Sequence, residues 1–124
     1  MRALIDSPST HLLVAAQGTE IVGYSLVLRR KGIRSARLYS LAVFPDQTGR
    51  GLGRLLLDAA ECAAVKAGAV RLTLEVREDN PAAARLYERA GYRFVRARPN
   101  YYADGAGALR YERMLSPAGI ARAA

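Results

Sequence analysis

The chain has 124 residues, half of them hydrophobic, with 19 basic against 11 acidic side chains, one cysteine and one histidine. That length suits one domain (core about 11–115, a loose tail 116–124) and not two. No run nears the roughly 20 apolar residues of a membrane span, the first eight residues lack a signal-peptide core, and Cys62 and His11 alone make neither a disulfide nor a metal cluster. The expectation is a soluble, cytoplasmic protein with no metal and no membrane partner. The net charge of +8 admits an acidic partner or a polyphosphate ligand; the basic residues are scattered apart from Arg29-Arg30-Lys31 with Arg34, so nucleic acid is not the expected partner.

In chain order, His11–Ala16 reads as a strand, Gln17-Gly18-Thr19-Glu20 as a turn and Ile21–Leu28 as the second arm of a hairpin. Ala36–Phe44 is a third strand ending at Pro45. A helix follows from Leu52 to Ala67, with Leu52, Leu55, Leu56, Ala59, Ala63 and Ala67 as its apolar stripe and Gly68 as its stop. Val70–Arg77 alternates strictly: Val70, Leu72, Leu74 and Val76 on one face, Arg71, Thr73, Glu75 and Arg77 on the other. Asn80-Pro81 opens a second helix, which runs to Ala90 and stops at Gly91. Tyr92–Arg98 and Ala108–Leu115 form a closing hairpin around Asp104-Gly105. The order predicts an α/β domain with a mixed sheet and at least one crossover that brings two strands side by side in parallel.

Between the third strand and the first helix lies Gln47-Thr48-Gly49-Arg50-Gly51-Leu52-Gly53-Arg54. Three alternating glycines at a helix N-terminus offer free N–H groups, the positive end of a dipole and no Cβ to obstruct an anion. The loop fits neither nucleotide template. GxxxxGK[ST] lacks its Lys-Ser or Lys-Thr, and GxGxxG fails because the sixth position from Gly49 is Arg54.

Gln47–Leu57 instead resembles the acetyl-CoA pyrophosphate loop of the GNAT superfamily of N-acetyltransferases. Downstream, Leu74-Glu75-Val76-Arg77, then Asn80, then Leu86-Tyr87 resembles that superfamily's strand, cofactor-side asparagine and helix. Together with Asn100-Tyr101-Tyr102 and Asp104-Gly105, these motifs are most similar to the ribosomal-protein alanine N-acetyltransferases. The resemblance spans roughly His11–Leu115. It implies a mixed, mostly antiparallel sheet with the N-terminal helices of the superfamily largely absent. It also implies acetyl-CoA as co-substrate and a primary amine, as on a protein or peptide N-terminus, as acceptor, attacked in a ternary complex. A small-molecule amine acceptor and a non-catalytic acyl-CoA-binding module are the alternatives.

By the same resemblance, Thr48, Gly49, Arg50, Gly51, Leu52, Gly53 and Arg54 cradle the pyrophosphate. Thr48 stands where the family usually has Gln or Arg. Leu41, Ala42 and Val43 pair with the pantetheine arm, and Asn80 bonds to it besides capping its helix. Glu75 is the general base and Tyr87 the acid toward the departing thiolate. The residues alone leave alternatives: Glu75 as a surface partner of Arg71, Arg77 or another arginine, and Tyr87 as a core ring over Ala83 and Ala84. Cys62 is expected to be a buried small side chain, and His11 to be structural. Tyr101 and Tyr102 either line an acceptor entrance or pack. Loss of the N-terminal helices would expose apolar surface beside Glu75 and so favour a homo-oligomer.

Overall fold

A computed structural model describes residues 2–6, 9–29, 33–44 and 51–115 of the chain, the first of these segments by its backbone alone. Seven strands and two helices follow one another: β1 (Arg2–Asp6), β2 (Thr10–Gln17), β3 (Glu20–Arg29), β4 (Ser35–Val43), α1 (Leu52–Lys66), β5 (Arg71–Arg77), α2 (Pro81–Arg89), β6 (Arg93–Arg98) and β7 (Ala108–Met114). They make one sheet in the order β1-β2-β3-β4-β5-β7-β6, antiparallel throughout except for β4 and β5, which run parallel across the α1 crossover. The sequence reading placed the elements from β2 onward. It missed β1, whose five residues form a strand by pairing along β2.

Both helices begin and end on the expected signals. Asn80 caps α2 by accepting the Ala83 N–H at 3.2 Å, with Pro81 in the first turn. Gly68 and Gly91 follow the helix ends at φ 93°, a conformation that glycine adopts without a Cβ penalty. The core lies between the helices and one face of the sheet. Leu57, Ala60 and Ala64 of α1 and Tyr87 of α2 join Leu72, Leu74 and Val76 of β5 in a single cluster.

The stripe predicted for α1 is corrected by this packing. Leu56, Leu57, Ala60, Glu61 and Ala64 are the buried positions, while Leu55 is 50% exposed. Leucine and alanine surround most of α1, so its own pattern leaves its rotation open by one position, or about 100°. Partners decide it: Glu61, 1% exposed, accepts the Tyr92 hydroxyl at 2.7 Å and meets Arg113 at 3.0 Å. A charge so satisfied can face the core. Cys62 is only partly buried, against the expectation for it. His11 is buried.

Candidate active site

The registers of β4 open the site. β4 pairs with β5 from Ser35↔Arg71 to Leu38↔Leu74 and no further. Past that point β4 follows β3 to Val43↔Gly23, while β5 follows β7 to Arg77↔Ala108. The two strands splay, and a gap of about 320 Å³ opens between Tyr39–Leu41 on one side and Glu75–Arg77 on the other. Asn80, Ala83 and Tyr87 of α2 reach it from the helix-covered face, and Tyr102 closes over it.

Of the residues singled out in the sequence, Leu41, Glu75, Asn80 and Tyr87 line this gap together. Ala42 and Val43 continue the free edge of β4 beyond it, opposite Tyr24 and Gly23 of β3. Gly23 makes that pairing possible. A Cβ there would lie 2.8 Å from the Ala42 carbonyl oxygen and 2.9 Å from a methyl of Leu56. Thr48, Gly49 and Arg50 lie outside the described residues. Gly51 is the N-cap of α1, with φ 73°, and among the described residues no side chain caps the first turn. That turn holds no acidic residue, so Leu52, Gly53 and Arg54 present an uncapped positive helix end, which suits an anion. Gly53 also lets the two helices approach, since a Cβ on it would stand 3.3 Å from a Leu86 methyl. Arg54 bonds to Asp58 one turn on, at 3.1 Å.

Glu75 points to the sheet face away from the helices, as the alternation of β5 predicts. Its side chain is 3% exposed. The Arg37 guanidinium meets one carboxylate oxygen at 2.9 Å and Arg110 the other at 3.4 Å. Tyr101 donates its hydroxyl to Glu75 at 3.5 Å and accepts from Arg37. Neither Arg71 nor Arg77 is the partner. Arg71 reaches Glu112, and Arg77 binds Asp79 at 3.1 Å and Asp104 at 2.8 Å. Those bonds hold both aspartates below their usual carboxylate range. They also tie the β6–β7 loop to the end of β5, which sets Tyr102 over Arg77, 5.0 Å from its guanidinium, and brings Tyr101 to Glu75.

Tyr87 faces the gap from α2. It is 7% exposed, and its ring stands edge-on to Tyr92 at 5.9 Å. Burial, with a smaller contribution from Tyr102, pushes its phenol up to about 12, so it carries its proton throughout the physiological range. Asn80 spends its side-chain oxygen on the helix cap. The arrangement therefore offers a proton-bearing phenol on one wall and a carboxyl group on the other, across a slot with a free strand edge.

Arg37 and Arg110 escaped the sequence reading. Arg37 is the one charged residue in an otherwise apolar and hydroxyl-bearing strand, and that oddity was the available signal. Only the strand order, with β5 between β4 and β7, brings both arginines to Glu75.

The acetyltransferase (GNAT) family model matches residues 1–92 of the chain. A [ribosomal protein bS18]-alanine N-acetyltransferase of Salmonella typhimurium is 44% identical over 72 residues, 58% of this chain and 49% of that protein. The N-alpha-acetyltransferase RimI of Mycobacterium tuberculosis is 37% identical over 112 residues, 88% of this chain and 69% of the relative. Among solved structures, the ribosomal-protein-S18-alanine N-acetyltransferase of Escherichia coli superposes with a TM-score of 0.72 at 34% identity, covering 82% of this chain and 66% of that one. Ard1 of Thermoplasma volcanium does so with a TM-score of 0.77 at 28% identity, covering 83% and 69%. The chain thus spans about half the length of the Salmonella relative and 66–69% of the others.

Proposed function

The chain belongs to the GNAT acetyltransferase family, and from that membership we propose that it transfers an acetyl group from acetyl-CoA to the α-amine of a protein or peptide. The observation that carries the reading is the splay between β4 and β5, with Glu75 on one wall and Tyr87 on the other. The named activities of the Salmonella and Mycobacterium relatives support the amine acceptor. The uncapped start of α1 and the free edge of β4 fit the anionic and amide-bearing parts of the co-substrate.

Acetyl-CoA supplies the acyl group as a thioester. The residues of the chain then handle protons. Glu75 takes one from the acceptor ammonium, directly or through water, leaving a neutral amine. The new C–N bond forms as the C–S bond breaks. Tyr87 gives its proton to the departing sulfur, and the second proton leaves the nitrogen for solvent as the amide is completed. Asn80, Leu41, Ala42 and Val43 position the pantetheine arm. Thr48, Gly49, Arg50, Gly51, Leu52, Gly53 and Arg54 hold the pyrophosphate.

Mass spectrometry of a peptide library incubated with acetyl-CoA tests the proposal. Acetylation of N-terminal amines is expected, and Glu75→Gln should cut kcat/KM by about a hundredfold while acetyl-CoA still binds. Tight acetyl-CoA binding with no amine acetylated would refute transfer and leave a binding module. A homo-oligomer is part of the same proposal, supported by the exposed Phe94 and Val95 on the edge strand β6. A monomeric mass in solution at high concentration would refute it.

A further inference from the structure

The helices cover one face of the sheet, and on the other face the half from β4 to β6 is rich in arginine. Cross-strand partners align in rows: Arg37, Thr73, Glu112 and Arg93 in one, then Glu75, Arg110 and Arg96, then Arg77, Ala108 and Arg98. In the middle row Arg110 and Arg96 stand directly opposite each other, a like-charge pairing that costs stability in a sheet. Arg77 holds both Asp79 and Asp104, but in the first two rows carboxylates are scarce enough to be shared. Glu75 serves Arg37 and Arg110, and Glu112 serves Arg71 and Arg93. Arg98 lies over the Tyr101 ring at 5.0 Å, with no carboxylate within 4.0 Å of it among the described residues. The Nε of Arg37 is buried and bonded to nothing among the described residues. Around Glu75, then, one carboxyl group is set among Arg37, Arg110, Arg96 and Arg98.

An acceptor amine that is to reach Glu75 must come across this face, since Tyr87 and α2 occupy the other side of the slot. A cationic chain meets repulsion there; an anionic one is drawn in. Positive surroundings also disfavour the ammonium form of the arriving amine and so favour the neutral nucleophile. We infer that Arg37, Arg96, Arg98 and Arg110 select acceptor peptides that carry carboxylate side chains in the residues immediately after the N-terminal amine. The inference rests on the acetyltransferase reading and narrows its substrate to acidic N-termini.

The test uses three peptides that differ only at positions two and three, which are two aspartates, two serines or two arginines, with the full chain and saturating acetyl-CoA. At low salt kcat/KM should favour the aspartate over the arginine peptide by about tenfold or more, the scale of charge steering. At about 0.5 M salt, where the Debye length shrinks to a few ångströms, most of that ratio should vanish. Arg96→Glu changes an exposed side chain outside the slot and should lower the ratio at least threefold with little change for the serine peptide. Arg37→Gln should lower it too. Lys66→Glu, on the far end of α1, should leave it unchanged. Equal rates for all three peptides, or a ratio untouched by Arg96→Glu and Arg37→Gln, would overturn the inference while leaving the acetyltransferase reading intact. A preference for the arginine peptide would overturn it outright. So would single-stranded RNA binding that Arg96→Glu abolishes while peptide rates show no charge dependence, because that result would give the face to nucleic acid. Acetylation of none of the peptides, with acetyl-CoA bound, would instead refute the reading on which the inference stands.

Discussion

Replacing Tyr87 with phenylalanine isolates the chemistry assigned to the second helix. The ring is 7% exposed and packs edge-on against Tyr92 at 5.9 Å, and phenylalanine keeps both contacts. Only the hydroxyl is lost, so stability should change by no more than about 1 kcal/mol. Acetyl-CoA binding, measured by calorimetry, should stay within about threefold, because its affinity is assigned to the start of α1 and the edge of β4. The rate should not survive. A positioned acid contributes about 10²–10⁴-fold, or roughly 3–5 kcal/mol of transition-state stabilisation. The assay is release of free CoA thiol under saturating acetyl-CoA and peptide. Because burial pushes this phenol up to about 12, the parent rate should show no alkaline limb from this group below about pH 11. A variant that keeps kcat within about threefold of the parent would refute the acid role. A fall in kcat matched by an equal loss of acetyl-CoA affinity would refute it too, because the ring would then be a binding element.

The same burial has a consequence for stability in base. The Tyr87 phenol ionises near 10 in the unfolded chain and at about 12 in the folded one, so between these values the unfolded state loses its proton first. Stability therefore falls as pH rises through this window, by about 2–3 kcal/mol when complete; urea melts at about pH 9 and 11 should differ less in Tyr87→Phe than in the parent. Glu61→Ala should cost about 3 kcal/mol, or on the order of 12 °C in Tm, because it strands the buried Tyr92 hydroxyl and the Arg113 guanidinium. Calorimetry would report it, and a Tm within about 3 °C of the parent would mean that the network contributes nothing. Gly23→Ala should cost about 1–3 kcal/mol through the 2.8 Å approach to the Ala42 carbonyl. It should also weaken acetyl-CoA binding, since the Ala42 carbonyl faces β3 and any shift that relieves the clash displaces β4 and with it the strand's free edge. Unchanged binding would separate that edge from the cofactor.

Local chemistry settled a great deal without the tertiary structure. Asn80-Pro81, Gly68 and Gly91 bound the helices, Gly18 turns the first long hairpin, and the period-two pattern of β5 sends Glu75 and Leu74 to opposite faces, because each of these acts through its own backbone and immediate neighbours. The link between the Gly51 loop and Tyr87 came instead from the resemblance of the two motifs to a known superfamily. What the sequence left open depended on which elements become neighbours. The burial of Glu61 needs Tyr92, just before β6, and Arg113 of β7. β1 exists as a strand through its pairing with β2, and the slot exists because β4 and β5 part after Leu38 and Leu74. Arg37, Glu75 and Arg110 lie on three strands far apart in the chain, and only the insertion of β5 between β4 and β7 makes them one cluster. Periodicity fixes which face a side chain takes. It carries no information about whose side chain will stand opposite, and the electrostatics of this site are made there.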